Sequence, residues 1–288
     1  NIDAAGNWSM DTANVILVDV DAPVISVTNA NVSLDVNGQV SLLSDDYVTA
    51  VDECGLDSLW MSQTDFDCDD IGVQTIQAFA RDIHNNSSSL TLTVTVNDNT
   101  APAITVLQPT IDLNLDATGS ATLPTDVSTM ATALDNCTDN PDVLLNKTAF
   151  DCDDAGNNLI TVTATDDAGN VSTATFIVNV IDAIPPVVFA DATVTVEIGQ
   201  SGFATLGFAD INDGSTDNCG IDSYILSNGL FNCSELGLNS VTYTVTDLSG
   251  NSTTVDIDVT VVDNISPIAT PVVETTVQLD GFGGAVVT

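Results

Sequence analysis

The chain has 288 residues and carries 41 acidic against two basic side chains, a formal net charge of −39, so it lacks the basic face that nucleic acid or anionic lipid requires. Its 44% hydrophobic content and mean hydropathy of +0.26 set it apart from disordered chains, which lack the apolar material for a core. Its apolar runs are a handful of residues long, far short of the roughly 18 that a membrane helix needs, so no direct membrane insertion is expected.

In chain order the sequence repeats itself. Neither an initiator Met nor a signal-peptide pattern opens it. Residues 1–20 read as the C-terminal strands of a preceding repeat, with the turn Asp3-Ala4-Ala5-Gly6-Asn7 and a strand-like run to Asp19. Asp21-Ala22-Pro23 opens a repeat over 21–99, Asn99-Thr100-Ala101-Pro102 one over 100–183, and Ile184-Pro185-Pro186 one over 184–264. Asn264-Ile265-Ser266-Pro267 starts another, of which 265–288 is the beginning. Pro23, Pro102, Pro186 and Pro267 lie 79, 84 and 81 residues apart. A fixed period of this length is the signature of an array.

Within the first repeat Leu90, Leu92, Val94 and Val96 alternate with Thr91, Thr93 and Thr95; in the third, Val241, Tyr243 and Val245 alternate with Thr242, Thr244 and Thr246. Period two with one Thr/Asp face predicts half-buried antiparallel strands. Asp166 to Asn170 and Asp247 to Asn251 spell an Asp-x-x-Gly-Asn turn; Asp82-Ile83-His84-Asn85-Asn86 carries Asn where Gly is expected. Asn tolerates the left-handed backbone such a turn needs. Six or seven short strands per repeat of about 80 residues predict an all-β fold, Ig-like β-sandwiches in a linear array. Acidic outer faces discourage edge-to-edge pairing.

Each full repeat holds two cysteines: Cys54 and Cys68, Cys137 and Cys152, Cys219 and Cys233. Spacings of 14, 15 and 14 residues read most simply as one disulfide per repeat in an oxidising compartment. The turn signal Ser227-Asn228-Gly229 suits a cross-linked hairpin between Cys219 and Cys233. Free buried thiols and a metal site are the competing readings; zinc is disfavoured without a Cys-x-x-Cys and with His84 as the single His. Phe66, Phe150 and Phe231, two residues before each second cysteine, are expected to pack against the bridge.

Val241 to Ser252, and Val162 to Ser172 likewise, each followed by a strand and a Pro-containing linker, resemble the hyalin-repeat type of Ig-like module. The acidic, Thr-rich form with Asp-Asn-Cys and Phe-Asp-Cys-Asp-Asp is similar to tandem repeats of giant secreted surface proteins of Bacteroidota, including gliding-motility adhesins of the SprB kind. The resemblance implies an extracellular, cell-surface stalk or filament, usually in adhesion.

Calcium takes six to eight oxygens from Asp, Asn and backbone carbonyls, and the Asp-rich turns offer them. One candidate set sits at the junctions: Asp19 and Asp21, Asp98 and Asn99, Asp182, Asp263 and Asn264. The run Asn97-Asp98-Asn99-Thr100-Ala101-Pro102 resembles the linker of cadherins, which implies calcium at the joint. The second set flanks the cysteines: Asp135, Asn136 and Asp139, with Asp151, Asp153 and Asp154. In the third repeat it thins to Asp217, Asn218, Asn232 and Glu235, so a weaker site is expected there. Against this stand the ordinary roles of Asp and Asn as turn formers and of acidic surface as solvation.

No catalytic constellation is visible. His84 occupies a turn position filled by Ala168 and Ser249 in the sister repeats, and no Gly-x-Ser-x-Gly elbow is present. Trp8 and Trp60 do not recur and are expected to pack in cores or strands in preference to stacking sugars. The expected function is a non-enzymatic structural repeat region of a giant secreted adhesin, a semi-rigid stalk that extends and presents a distal adhesive region in gliding motility or attachment. Its expected partners are the neighbouring repeats, with glycans or surface proteins engaged through regions outside 1–288. Two alternatives stay open: spacer modules of a secreted multidomain hydrolase, or modules that themselves bind glycan or protein.

Overall fold

The computed structural model of the chain describes residues 2, 4–270 and 277–284. Asp3 of the first turn and parts of the 265–288 segment therefore lie outside the described residues. Contacts divide the chain into two compact units. One comprises Asn1–Ile111, Leu123–Thr148 and Asn158–Val178; the other Asp112–Thr122, Ala149–Asn157 and Asn179–Thr288.

In the first unit, alternation does what it predicts. Gly72–Asp82 and Ser87–Asn97 pair antiparallel from Gly72↔Val96 to Arg81↔Ser87. Their inward side chains, among them Ile76, Ala78, Leu92 and Val94, are buried. Leu56–Met61 pairs along Gly72–Asp82, and Ala30–Ser33 joins Ser87–Asn97, completing a four-stranded sheet. That last pairing is parallel, a departure from the wholly antiparallel expectation. The cause is a change of sheet: Val24–Val27 pairs with Val48–Val51, and two residues later the chain crosses to the four-stranded sheet. Gln39–Ser41 pairs with Asp65–Asp67 to close one end. Leu92, Val94, Phe66, Val48 and Met61 form the core between these sheets. The same unit carries Ala131–Leu134 paired with Ala103–Val106, and Asp142–Leu145 paired with residues 162–165.

The second unit repeats the plan. Thr193–Glu197, Ser252–Val262, Gly237–Asp247 and Ile221–Leu226 form a four-stranded sheet in that order, again with its first strand parallel to its last. Phe203–Thr205 pairs with Leu230–Asn232. Tyr243, Phe231, Ile257 and Ile198 are the large buried residues of the core. The chain is thus all-β, built from Ig-like sandwiches. Phe66, Phe150 and Phe231 are all buried, 3% exposed or less.

The cysteine pairing differs from the expectation. The bridges are Cys68–Cys137 and Cys152–Cys219, separated by 69 and 67 residues, and Cys54 and Cys233 are exposed free thiols. Each bridge joins the second cysteine of one repeat to the first of the next, so no pairing within a repeat (Cys54 with Cys68, Cys137 with Cys152, Cys219 with Cys233) occurs. The reason lies in the strands between them. Ile221–Leu226 and Leu230–Asn232 belong to different sheets, so Ser227-Asn228-Gly229 is an arch between sheets and not a hairpin turn. In the first repeat, Leu56–Met61 carries the chain about 20 Å away from the Cys54 corner at strand rise.

Other expectations divide. Asn85 has φ +73°, matching Gly169 at +89° and Gly250 at +92°, as the left-handed reading of that turn requires. The run toward Asp19 is no strand: among the described residues only an isolated bridge, Ile2↔Trp8, precedes Val24, and Leu17 is 94% exposed. Strands persist only where an edge accepts their hydrogen bonds, and no described strand pairs with this run. Trp8 is exposed, not packed, while Trp60 stacks on Phe79 at 5.3 Å between ring centroids.

Candidate metal centre at the repeat junctions

Three chain segments meet at the end of each sandwich, and each delivers one Asp. In the first unit, Asp98 follows the strand Ser87–Asn97 and turns the linker by accepting from Thr100 N at 3.0 Å through Oδ1. Asp135 follows Ala131–Leu134, and its Oδ2 accepts from Cys137 N and Thr138 N at 2.9 and 3.0 Å. Asp166 closes Gly156–Thr165, with Asn170 donating its backbone N to Oδ1 at 2.7 Å and its side-chain Nδ2 to Oδ2 at 2.8 Å. Ligand oxygens of the three lie within 4.8 Å of one another.

The second unit builds the same set from Asp182, Asp217 and Asp247. Asp217 Oδ2 accepts from Cys219 N and Gly220 N at 2.8 and 3.1 Å, and Asn251 holds Asp247 as Asn170 holds Asp166. The Asn of the turn also staples the linker: Asn170 Nδ2 donates to Asp98 O at 3.1 Å, and Asn251 Nδ2 to Asp182 O at 3.0 Å.

The hydrogen bonds occupy both oxygens of Asp166 and Asp247 but leave one over on the linker and corner groups. Asp98 Oδ2, Asp135 Oδ1 and Asn136 Oδ1, and in the second unit Asp182 Oδ2, Asp217 Oδ1 and Asn218 Oδ1, are buried without a partner. Asp98 and Asp182 are each only 6% exposed. Buried ionised oxygens with no donor are costly, and like charges this close repel unless a cation or protons intervene. The chain has two basic side chains to answer 41 acidic ones, and Arg81 is already engaged by Asp57 at 2.7 Å. The donors are hard oxygens in an irregular, protein-built cage, the chemistry of calcium more than of magnesium, which keeps most of its water.

The predicted candidates therefore rearrange. In the first unit Asp98 of the junction set converges with Asp135 and Asn136 of the cysteine-flank set, and in the second Asp182 converges with Asp217 and Asn218. Asp82, Asp166 and Asp247 were legible only as turn formers, although their five-residue turn recurs at every junction. Asp151, Asp153 and Asp154 lie elsewhere: Asp151 caps the short helix Cys152–Asp154 by accepting from Asp153 N, and Asp154 reaches back to Asp151 N. Asp139 is exposed, and Asn99 donates to Ser33 Oγ at 2.7 Å. Asp21, Asp263 and Asn264 are exposed too, with Asp263 Oδ1 accepting from Ile265 N. The thinning to Asn232 and Glu235 alters only the equivalent cap, so the carboxylate set of the second unit is not the poorer one.

Around Asp19 the same positions gather with different neighbours. Asp19 groups with Asp82 and His84, and with Asp52 and Cys54. Hydrogen bonds from the Asn86 side chain and from the Asn86 and His84 amides hold the Asp82 carboxyl low, against burial, which would push it up. The Cys54 thiol is pushed up, chiefly by its hydrogen bond to Asp19. His84 is half-exposed on its turn, as expected, but its Nδ1 lies 3.3 Å from Asp19 Oδ2.

No family model matches the chain. It is 33% identical over 287 residues to hyalin of Strongylocentrotus purpuratus, an alignment covering 93% of this chain and 23% of that protein. With hyalin of Lytechinus variegatus it shares 29% identity over 285 residues, covering 91% of this chain and 51% of that one. The chain thus spans about a quarter and about half of these relatives. Among solved structures, EC22-24 of mouse cadherin-23 matches with 13% identity and a TM-score of 0.35, over 84% of this chain and 99% of that one. The likeness to hyalin runs through nearly all of the chain and agrees with the hyalin-repeat resemblance of its turns and strands.

Proposed function

We propose that this chain is a non-enzymatic structural segment of a large extracellular adhesion protein, in which calcium at each junction fixes one repeat against the next. The observation that carries the reading is the pair of buried carboxylate oxygens, Asp98 Oδ2 and Asp182 Oδ2, left without a donor beside the equally unpartnered oxygens of Asp135 and Asn136 and of Asp217 and Asn218. Asp98, Asp135, Asp166 and Asn136 would hold one ion, and Asp182, Asp217, Asp247 and Asn218 another. The bound cation supplies charge compensation and cross-linking; it performs no chemistry. The linker Asp, the corner of the following repeat and its turn then become a single rigid joint. The cystines that join successive repeats, and the likeness to hyalin, support a segment that makes length and holds a distal adhesive region away from a surface, as in the gliding-motility adhesins it resembles. Glycans or surface proteins would be engaged through regions beyond this chain.

Thermal unfolding with calcium and with a chelator, at fixed ionic strength, tests this. Calcium at a hundredfold excess over its dissociation constant is expected to add about 2.7 kcal/mol per site. Asp98→Asn and Asp182→Asn should each remove one site's share, and the double variant all of it. A midpoint that chelation leaves unmoved would dismiss the calcium reading.

A further inference from the structure

We infer that the cystines Cys68–Cys137 and Cys152–Cys219 are positioning elements of the two junction metal centres, so that cation affinity and the oxidation state of the bridge control each other. This deepens the calcium reading and rests on it.

The ligand Asp135 is two residues from Cys137 and takes that residue's amide on Oδ2. Cys137 is bonded to Cys68, which lies tight against the turn Asp35-Val36-Asn37-Gly38: a Cβ on Gly38 would fall 2.5 Å from Cys68 Sγ and 3.0 Å from Asn136 O. From the same corner Asn136 Nδ2 donates to Asp35 O at 3.1 Å and to the ligand Asp98 at 3.3 Å. Bridge, seat turn and corner thus form a closed ring of contacts to which Asp98 and Asp135 are tied. The second unit duplicates it: Asn218 Nδ2 donates to Asp116 O and Asp182 Oδ1 at 3.3 and 3.1 Å, and Gly119 lies as close to Cys152 as Gly38 to Cys68.

Repulsion among three carboxylates pushes the corner outward, and the S–S bond opposes that movement. At the Asp19 corner the Cys54 sulfur likewise lies beside the carboxylates, within 4.8 Å of Asp19 and Asp52 oxygens. Reduction by a dithiol transfers two electrons and two protons to the cystine; the S–S bond breaks, two thiols form, and the reagent closes into its own disulfide. The corner is then free to relax and the cation site to loosen. Since binding couplings are reciprocal, a bound cation must protect the bridge by the same factor.

The test uses the full chain with Cys54→Ser and Cys233→Ser, so that only bridged cysteines remain. Calcium binding is measured by calorimetry before and after excess dithiothreitol, with circular dichroism reporting strand content. Loss of a supporting contact behind a ligand weakens metal binding about 10- to 100-fold, and that is the expected loss on reduction, with strands retained. At equilibrium in a dithiothreitol redox buffer, calcium should shift the reduced-to-oxidised ratio of the bridges by a similar factor, and Asp98→Asn/Asp182→Asn should abolish that shift. Equal affinity in both redox states, or a redox equilibrium indifferent to calcium, overturns the linkage while leaving the calcium reading intact. Should reduction melt the strands, the redox equilibrium with and without calcium alone decides. An oxidised chain that binds no calcium sinks the calcium reading and this inference together.

Discussion

Asp98, Asp135 and Asp166 form one cluster beside a cystine, whereas Asp19 groups with Asp82 and His84 on one side and with Asp52 and the free Cys54 thiol on the other. The carboxylate positions are the same, yet the surroundings diverge. At the bridged corner Asn136 ties the linker Asp to the seat turn; the corresponding residue at the open corner is Glu53, a fourth acid, and His84 replaces a small residue on the turn. The contrast separates two jobs that look like one. At the Asp19 corner, turn and strand geometry brings the acids together only two at a time. All three gather in one group only where the corner also carries the bridge and the Asn beside it.

The largest expected effect comes from making a bridged corner open. Cys152→Ser/Cys219→Ser deletes a closure of 67 residues, for which chain entropy gives about 4 kcal/mol; chemical denaturation should show a loss of that order. Indifference would mean that the corner is set by its hydrogen bonds. Next come two seat glycines compared. Gly119 and Gly202 both have positive φ, but a Cβ on Gly119 would meet Cys152 Sγ at 2.6 Å and Asn218 O at 2.8 Å, and one on Gly202 meets nothing within 4 Å. Gly202→Ala should cost only the left-handed backbone penalty of about 1–2 kcal/mol, while Gly119→Ala should cost more and speed reduction of its bridge. Equal losses would refute the close seating. The smallest effect is acid sensitivity. The seat carboxyls are held below the ordinary value of 3.8: Asp35 by the Gln39 and Asn37 amides, Asp116 by the Thr118 hydroxyl and nearby amides. The third seat has Gly199 at that position. Depressed carboxyls stabilise the folded form above their unfolded value and lose that share as pH falls through the folded one. Acidification below 3.8 should therefore loosen the two Asp seats slightly and spare the Gly199 seat, as amide exchange can show.

Fold class and turns were legible because period two and the Asp-x-x-Gly-Asn signal are local: Asn85 announces its own backbone. The fourth seat turn, Asp280 to Gly283, is equally local, with Gly283 at φ +80° and the Phe282 and Gly284 amides on Asp280 Oδ1, and it matches Asp35–Gly38 and Asp116–Gly119. The cysteine pairing was not legible, since a spacing of 14 fits a hairpin as readily as an arch; only the assignment of Leu56–Met61 and Asp65–Asp67 to different sheets decides. Half of each carboxylate cluster was legible from its linker and corner. Asp166 and Asp247 escaped because a turn-forming Asp looks the same in sequence whether or not the fold brings other carboxylates to it.

The stagger of the cystines also redraws the route that tension takes. Pulled from its ends, the oxidised chain transmits force across Cys68–Cys137, along the short span to Cys152, and across to Cys219. Only the 15 residues from 137 to 152 can be drawn straight there, about 50 Å at full extension. The segments between paired sulfurs hang aside as slack that the pull never reaches, so a sandwich torn apart would pay out a fraction of its contour and the strand would behave more like a chain of links than an unravelling thread.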